Sequence, residues 1–232
     1  MARVAEQAER FEDMVEFLKN AIDAKSGEDF TVDERNLLSV GFKNLIGSQR
    51  GAIRTIGAIE QNPKYTKFSD ALQTYKKRIE NELYDKCIEI VEVVRGKCLG
   101  CAADDESKAF FHKMVGDYYR YVAESARDDK LETVKNGALE GYQQAKTLSE
   151  SLNPCNPIRL GLALNFSVFY YEVMNDHKHA CELGEKALAD ALEKIDEVDE
   201  EMFRDAKSII ELLKENLSLW KEEEGEAVVD DL

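Results

Sequence analysis

Apolar positions along this chain recur at every third or fourth residue, and nowhere does a stretch alternate with the period of two that marks a strand. Thr31 to Glu34 reads Thr-x-x-Glu, a capping box, ahead of Leu37, Leu38, Phe42, Leu45 and Ile46. The same stripe continues through Ile53, Ile56 and Ile59, so one long helix is predicted up to the break at Asn62-Pro63. A second long helix is predicted from Tyr65 to Lys97, stopping around Leu99-Gly100. Asp104-Asp105-Glu106 places negative charge at the start of a third, where it complements the helix dipole. That third helix carries GDYYRYVAE, Gly116 to Glu124. Beyond it the pattern predicts helices over 130–151, 159–174, 179–198 and from 200 to about 223. The sequence NPCNP, Asn153 to Pro157, separates two of them, because neither proline can donate a backbone hydrogen bond. The expectation is an all-α protein: one domain of antiparallel helices over residues 1–222, followed by a disordered acidic tail over 223–232.

Composition narrows what such a bundle could do. The 232 residues are enough to bury a sizeable core, and only three are proline. The formal net charge is −16, and the segment from Asp190 to Leu232 alone holds sixteen acidic against five basic side chains. A surface of that sign repels nucleic acid and anionic membranes, so neither is an expected partner. MARVAEQAER lacks the apolar core of a signal peptide, and the longest uncharged run, Leu160 to Tyr171, has twelve residues against the roughly 20 needed to span a bilayer. The reading is a soluble cytoplasmic protein whose five scattered cysteines are reduced.

Within that acidic background two basic pairs stand out. Lys43 and Arg50 lie seven residues apart, as do Lys113 and Arg120, and at ~100° per residue seven positions return to nearly the same helix face. Either pair alone reads as solvated charge; two of them set into apolar helices point to a convergent basic site. The apolar segment RLGLALNFSVFYYEV holds Asn165, with Glu172 seven residues on and Leu164 and Val168 alongside. SIIELLKENLSLW places Ile209, Leu212, Asn216 and Leu219 on one stripe. Each asparagine alone is most simply a satisfied core amide. Together they suggest a groove with one polar and one apolar wall, able to hold a peptide backbone.

Other chemistry finds little support. Cys98 and Cys101 have zinc-like spacing but no second pair completes four ligands, and His177 and His179 diverge on a helix. No metal, cofactor or catalytic set is expected. The alternative to a basic-pocket binder is a helical scaffold of the tetratricopeptide sort, binding unphosphorylated peptides; it would require a 34-residue repeat, which the chain lacks.

RNLLSVGFKNLIG (Arg35 to Gly47), GDYYRYVAE and RLGLALNFSVFYYEV (Arg159 to Val173) resemble the signature stretches of the 14-3-3 family, and AEQAERFEDM and LLKENLSLW match further ones. The likeness runs in register from about Ala5 to Glu222. It implies a nine-helix domain that dimerises into a cup and binds phosphoserine or phosphothreonine segments of other proteins, acting as an adaptor and not as an enzyme. By that resemblance Lys43, Arg50, Arg120 and Tyr121 form the phosphate pocket. Lys113, Leu164, Asn165, Val168, Glu172, Leu212, Asn216, Leu219 and Trp220 belong to the peptide groove. Arg10 with Glu82 and Asp13 with Arg78 would pair across a homodimer interface beside Tyr75. A phosphomonoester, carrying about −1.5 to −2 charges and three acceptor oxygens, suits two guanidinium forks, a lysine and a tyrosine hydroxyl.

The chain departs from the family pattern at several points. Gly41 and Phe42 stand in place of the usual alanine and tyrosine, and Val115 where a second lysine is common. Ala52 replaces a serine that many members use as a phosphorylation switch on the dimer. Only Met1 to Val4 precede AEQAER, where relatives usually carry more of the first helix, so a weakened dimer is expected.

Overall fold

A computed structural model describes residues 1–223 and Gly225, and among these every regular element is helical. The predicted acidic tail, apart from Glu223 and Gly225, lies outside the described residues. In chain order the helices are α1 (Ala2–Gln7), α2 (Phe11–Ala24), α3 (Val32–Leu45), α4 (Gly47–Glu60) and α5 (Ser69–Val93). They continue as α6 (Asp105–Ala123), α7 (Asp128–Ser149), α8 (Pro157–Glu172), α9 (His177–Lys194) and α10 (Glu200–Glu223). Taking α3 and α4 as one interrupted rod, the described residues form the nine-helix, all-α architecture expected of the chain. The described residues pack as two compact units, one of Met1–Ala103 with Met114–Ala138, the other of Asp104–Lys113 with the residues from Leu139 onward.

In the first unit the capping box forms as predicted. The Thr31 hydroxyl accepts from the Glu34 amide at 3.2 Å, and the Glu34 carboxylate accepts from the Thr31 amide at 2.8 Å. The helix that starts there does not run unbroken to residue 62, however. Ile46, almost wholly buried, sits at φ −100°, ψ −2° and separates α3 from α4. Gly47 immediately follows, and glycine, the weakest helix former apart from proline, does little to hold a helical backbone against a side chain pinned in the core. Asn62 then caps the next turn, its side chain accepting from the Lys64 amide at 3.0 Å with Pro63 behind it. Residues 63–68 form a 3-10 turn, so the second long helix begins at Ser69 and not at Tyr65.

The core of this unit is built from Met14, Leu18 and Ile22 on α2, Leu38 and Phe42 on α3, and Leu83, Cys87 and Ile90 on α5, all buried. Gly41 permits close approach of α2 and α3: a methyl at that position would lie 2.6 Å from Leu18 Cδ1. At its C-terminal end α5 passes into a π-helical turn, Val94–Cys98, which brings the Arg95 guanidinium over the Tyr119 ring at 5.4 Å. Gly137 lies against the same ring, where a methyl would meet Tyr119 carbons at 2.7–2.9 Å.

In the second unit the NPCNP break works through its asparagines. Asn153 Oδ1 accepts from the Cys155 amide at 2.8 Å, and Asn156 caps α8 by accepting from Ile158 at 2.9 Å. Buried Leu160, Leu188, Ile210, Leu213, Leu217 and Trp220 share one core cluster, beside which Tyr142 stacks on Phe166 at 5.1 Å. His177 and His179 belong to aromatic stacks: His179 on Tyr170 at 4.5 Å, and His177 on Tyr171 at 4.2 Å. Burial pushes the Cys98 thiol up to about 12, which suits a packing residue better than a redox or ligand one.

Candidate functional site

The site in the first unit is assembled by two stretches of chain. Arg50 stands on the first turn of α4, Arg120 and Tyr121 on the last turn of α6, and Glu124 just beyond that helix. Below them Phe42 meets Tyr118 edge to face at 6.4 Å, and Tyr118 meets Tyr121 the same way at 5.6 Å. This aromatic column anchors the Tyr121 ring, and the ring in turn carries two cations. The Arg50 guanidinium lies 4.0 Å from its centroid and that of Arg120 4.7 Å. Such cation–π contacts are strongest where water is excluded, and Arg120 is only 7% exposed.

Both guanidinium groups then converge on one carboxylate. Arg50 Nη2 donates to Glu124 Oε1 at 3.0 Å and to Oε2 at 3.2 Å, while Arg120 Nη1 donates to Oε1 at 3.3 Å. Two like charges held this close repel unless an anion lies between them. The Arg50 Nε–H is buried and makes no hydrogen bond among the described residues. A buried donor without an acceptor is costly, so the cluster holds more donor capacity than the chain itself consumes. Burial pushes the Tyr121 hydroxyl up to about 12, with the Asp117 carboxylate adding to the effect. It therefore stays protonated at neutral pH and can donate. The arrangement suits a small, multiply charged oxyanion.

Lys43, expected beside these groups, stands exposed on the last turn of α3, with the break at Ile46 between it and Arg50. Lys113 lies on α6 two turns before Arg120, its Cε within ordinary contact distance of the Gly161 position on α8.

The second unit carries the remaining predicted residues. Leu164 and Val168 are partly buried against the core cluster, Asn165 is half-buried beside them and Glu172 is exposed. On α10, Leu212 and Leu219 are 48% and 52% exposed, flanking half-buried Asn216. An exposed pair of leucines around an amide is the kind of surface that takes up a peptide. Trp220 differs from the rest: it is 5% exposed and stacks on Tyr171 at 4.5 Å, so it supports this stripe from behind.

Residues expected at a dimer interface find partners within the chain. Arg10 pairs with Asp13, and Arg78 with Glu82 at 3.7 Å, where the anticipated pairs were Arg10 with Glu82 and Asp13 with Arg78 between subunits. The Arg78 guanidinium lies 5.0 Å from the ring of Tyr75, itself half exposed.

Glu124 was missed by the sequence reading. Its signal there was slight: a carboxylate four residues after Arg120 looks like an ordinary helix ion pair.

Comparison with known proteins gives a uniform picture. The model of the 14-3-3 protein family matches residues 1–221. The chain is 44% identical over 229 residues to 14-3-3 protein 2 of Entamoeba histolytica, covering 97% of this chain and 95% of that protein. It is 44% identical over 224 residues to 14-3-3 protein 5 of Solanum lycopersicum, covering 95% and 88%. To the 14-3-3 protein homolog of Trichoderma harzianum it is 44% identical over 230 residues, covering 97% and 87%.

Proposed function

Since the chain belongs to the 14-3-3 family, we propose that Lys43, Arg50, Arg120 and Tyr121 hold the phosphate of a phosphorylated client. The protein is an adaptor that binds phosphoserine- and phosphothreonine-containing segments of other proteins, and the family acts by such binding and not by catalysis. The family match leaves the tetratricopeptide reading without support.

The observation that carries the pocket assignment is the convergence of Arg50 and Arg120, from two different helices, on one tyrosine ring and one carboxylate. A phosphate dianion offers each guanidinium a fork of oxygens and leaves a third oxygen for the Tyr121 hydroxyl or the Lys43 ammonium. Asn165 and Asn216 serve the backbone of the bound segment, and Lys113, Leu164, Val168, Glu172, Leu212 and Leu219 meet the residues that flank the phosphate.

Residues 1–222 act as one such domain. Members of the family dimerise, and here Arg10, Asp13, Tyr75, Arg78 and Glu82 form the contact of a homodimer. Among the described residues no helix is long and apolar enough to cross a membrane, and the strongly acidic surface disfavours nucleic acid. The cytoplasm is the compartment this suits.

Titrating a fluorescent Arg-Ser-x-pSer-x-Pro peptide and its unphosphorylated twin tests the reading. Saturable binding of the phosphorylated peptide alone is the expected result; equal binding of both would overturn it.

A further inference from the structure

Glu124 occupies the very donors that the proposed pocket offers to phosphate. Its two oxygens take three hydrogen bonds from Arg50 and Arg120. The helix end itself disfavours a carboxylate there. Glu124 follows the last residue of α6, at the end where helix carbonyls concentrate negative potential, so the helix itself repels it. The pairing with the two guanidinium groups is what offsets that repulsion, and the side chain remains about a third exposed, within reach of solvent and of an incoming anion.

We propose that Glu124 is a specificity-determining residue: a resident carboxylate that every ligand must outcompete, which sets a threshold of affinity that phosphate clears and carboxylate side chains do not. The inference rests on the phosphate-pocket reading above. An aspartate or glutamate of a client brings one charge and two oxygens, the same equipment as Glu124. Replacing Glu124 by such a group exchanges like for like, while Glu124, tethered beside the site, competes at a high effective concentration. No net hydrogen bonds are gained.

Phosphate changes the balance twice over. It carries up to two charges, so its attraction to both guanidinium groups is greater, and its third oxygen can use a donor that Glu124 leaves idle, such as the buried Arg50 Nε–H. A pocket without Glu124 would hold two uncompensated guanidinium groups and would accept either kind of anion.

The test uses three fluorescent peptides that differ at one position: phosphoserine, glutamate or serine. Each is titrated against the intact wild-type protein and against Glu124→Gln, which keeps the shape and one acceptor oxygen but removes the charge. In the wild type only the phosphoserine peptide should bind. In Glu124→Gln the displacement cost is gone for any anion, so the glutamate peptide should gain affinity by about tenfold or more, the size of one charged hydrogen bond, and become a measurable ligand, and the phosphoserine peptide should gain by a comparable factor. Glu124→Asp, retaining the charge, should leave the glutamate peptide unbound.

A glutamate peptide that gains nothing in Glu124→Gln, or an affinity for phosphoserine that falls there, would reduce Glu124 to a residue that merely orients the arginines and overturn the proposal. Failure of the wild type to bind the phosphoserine peptide would instead remove the pocket reading on which it rests. A thermal melt of Glu124→Gln matching wild type shows that the variant is folded, and with that side chain partly exposed no large change is expected.

Discussion

Substituting Arg120 by alanine separates the binding role of the basic cluster from its part in the fold. Arg120 is 7% exposed, with its guanidinium 4.7 Å from the Tyr121 ring and 3.3 Å from Glu124. When phosphate is bound, deleting this group strips one buried partner from a charge pair, which typically costs ~2–5 kcal/mol, or about 30-fold to several thousand-fold in affinity. The same deletion should barely touch stability. Glu124 keeps Arg50 at 3.0 Å, so that carboxylate is not orphaned, and the repulsion between the two guanidinium groups disappears. The pair that is lost involves a carboxylate about a third exposed, which limits its contribution to less than about 1 kcal/mol. For a chain of this length that is a shift in melting temperature of under roughly 4 °C. Fluorescence anisotropy with a phosphoserine peptide, run beside a thermal melt, reads both quantities. Wild-type affinity in Arg120→Ala would sink the pocket assignment; a melt lowered by ten degrees or more would mean that Arg120 is chiefly structural.

Three further outcomes follow from other parts of the molecule. Gly137→Ala places a methyl 2.7–2.9 Å from the Tyr119 ring, so overpacking of ~1–3 kcal/mol should outweigh the ~1 kcal/mol gained in helix propensity, and the same change made beside Tyr119→Ala should stabilise instead. A melt of the single and double variants checks that reversal of sign. Cys87, Cys98 and Tyr121 are all pushed up to about 12 by burial, so the unfolded chain ionises first; stability should be intact below pH ~9 and fall by about 1.4 kcal/mol per pH unit for each such group as pH climbs towards 12. Urea unfolding at stepped alkaline pH would refute this by showing a flat profile. Reversing Arg10 and Asp13 together (Arg10→Glu, Asp13→Arg) keeps their pairing within the chain but sets like charges against Arg78 and Glu82 of a second copy, so monomers are expected, and adding Arg78→Asp with Glu82→Arg should restore the dimer. Sedimentation that finds the first variant still dimeric would place the interface elsewhere.

The parts of the fold that were legible in the sequence are those decided within one turn of helix. The Thr31–Glu34 box, the Asn62-Pro63 stop and the NPCNP break are each satisfied by neighbours, and each stands where it was expected. The break at Ile46 is different. Periodicity carried the apolar stripe straight through it, because the requirement that interrupts the helix is the burial of Ile46 in a core drawn from other segments. Trp220 likewise shares a helix with exposed Leu219, and only its stack on Tyr171 of α8 shows that it faces inward.

The site divides along the same line. Arg50 and Arg120 could be singled out as cations too costly to bury without a purpose, and the family signature ties them to phosphate. Glu124 could not be found that way. Four residues after Arg120 it satisfies the spacing of a routine ion pair, and a routine ion pair needs no further explanation. Its second partner, Arg50, lies 74 residues away in sequence. That contact turns one carboxylate into the shared counter-ion of two arginines, and the packing of Phe42, Tyr118 and Tyr121 supports it by holding α3, and with it the start of α4, against α6. The basic residues advertise that the pocket binds an anion; the acidic residue among them, visible only in three dimensions, is what can decide which anion.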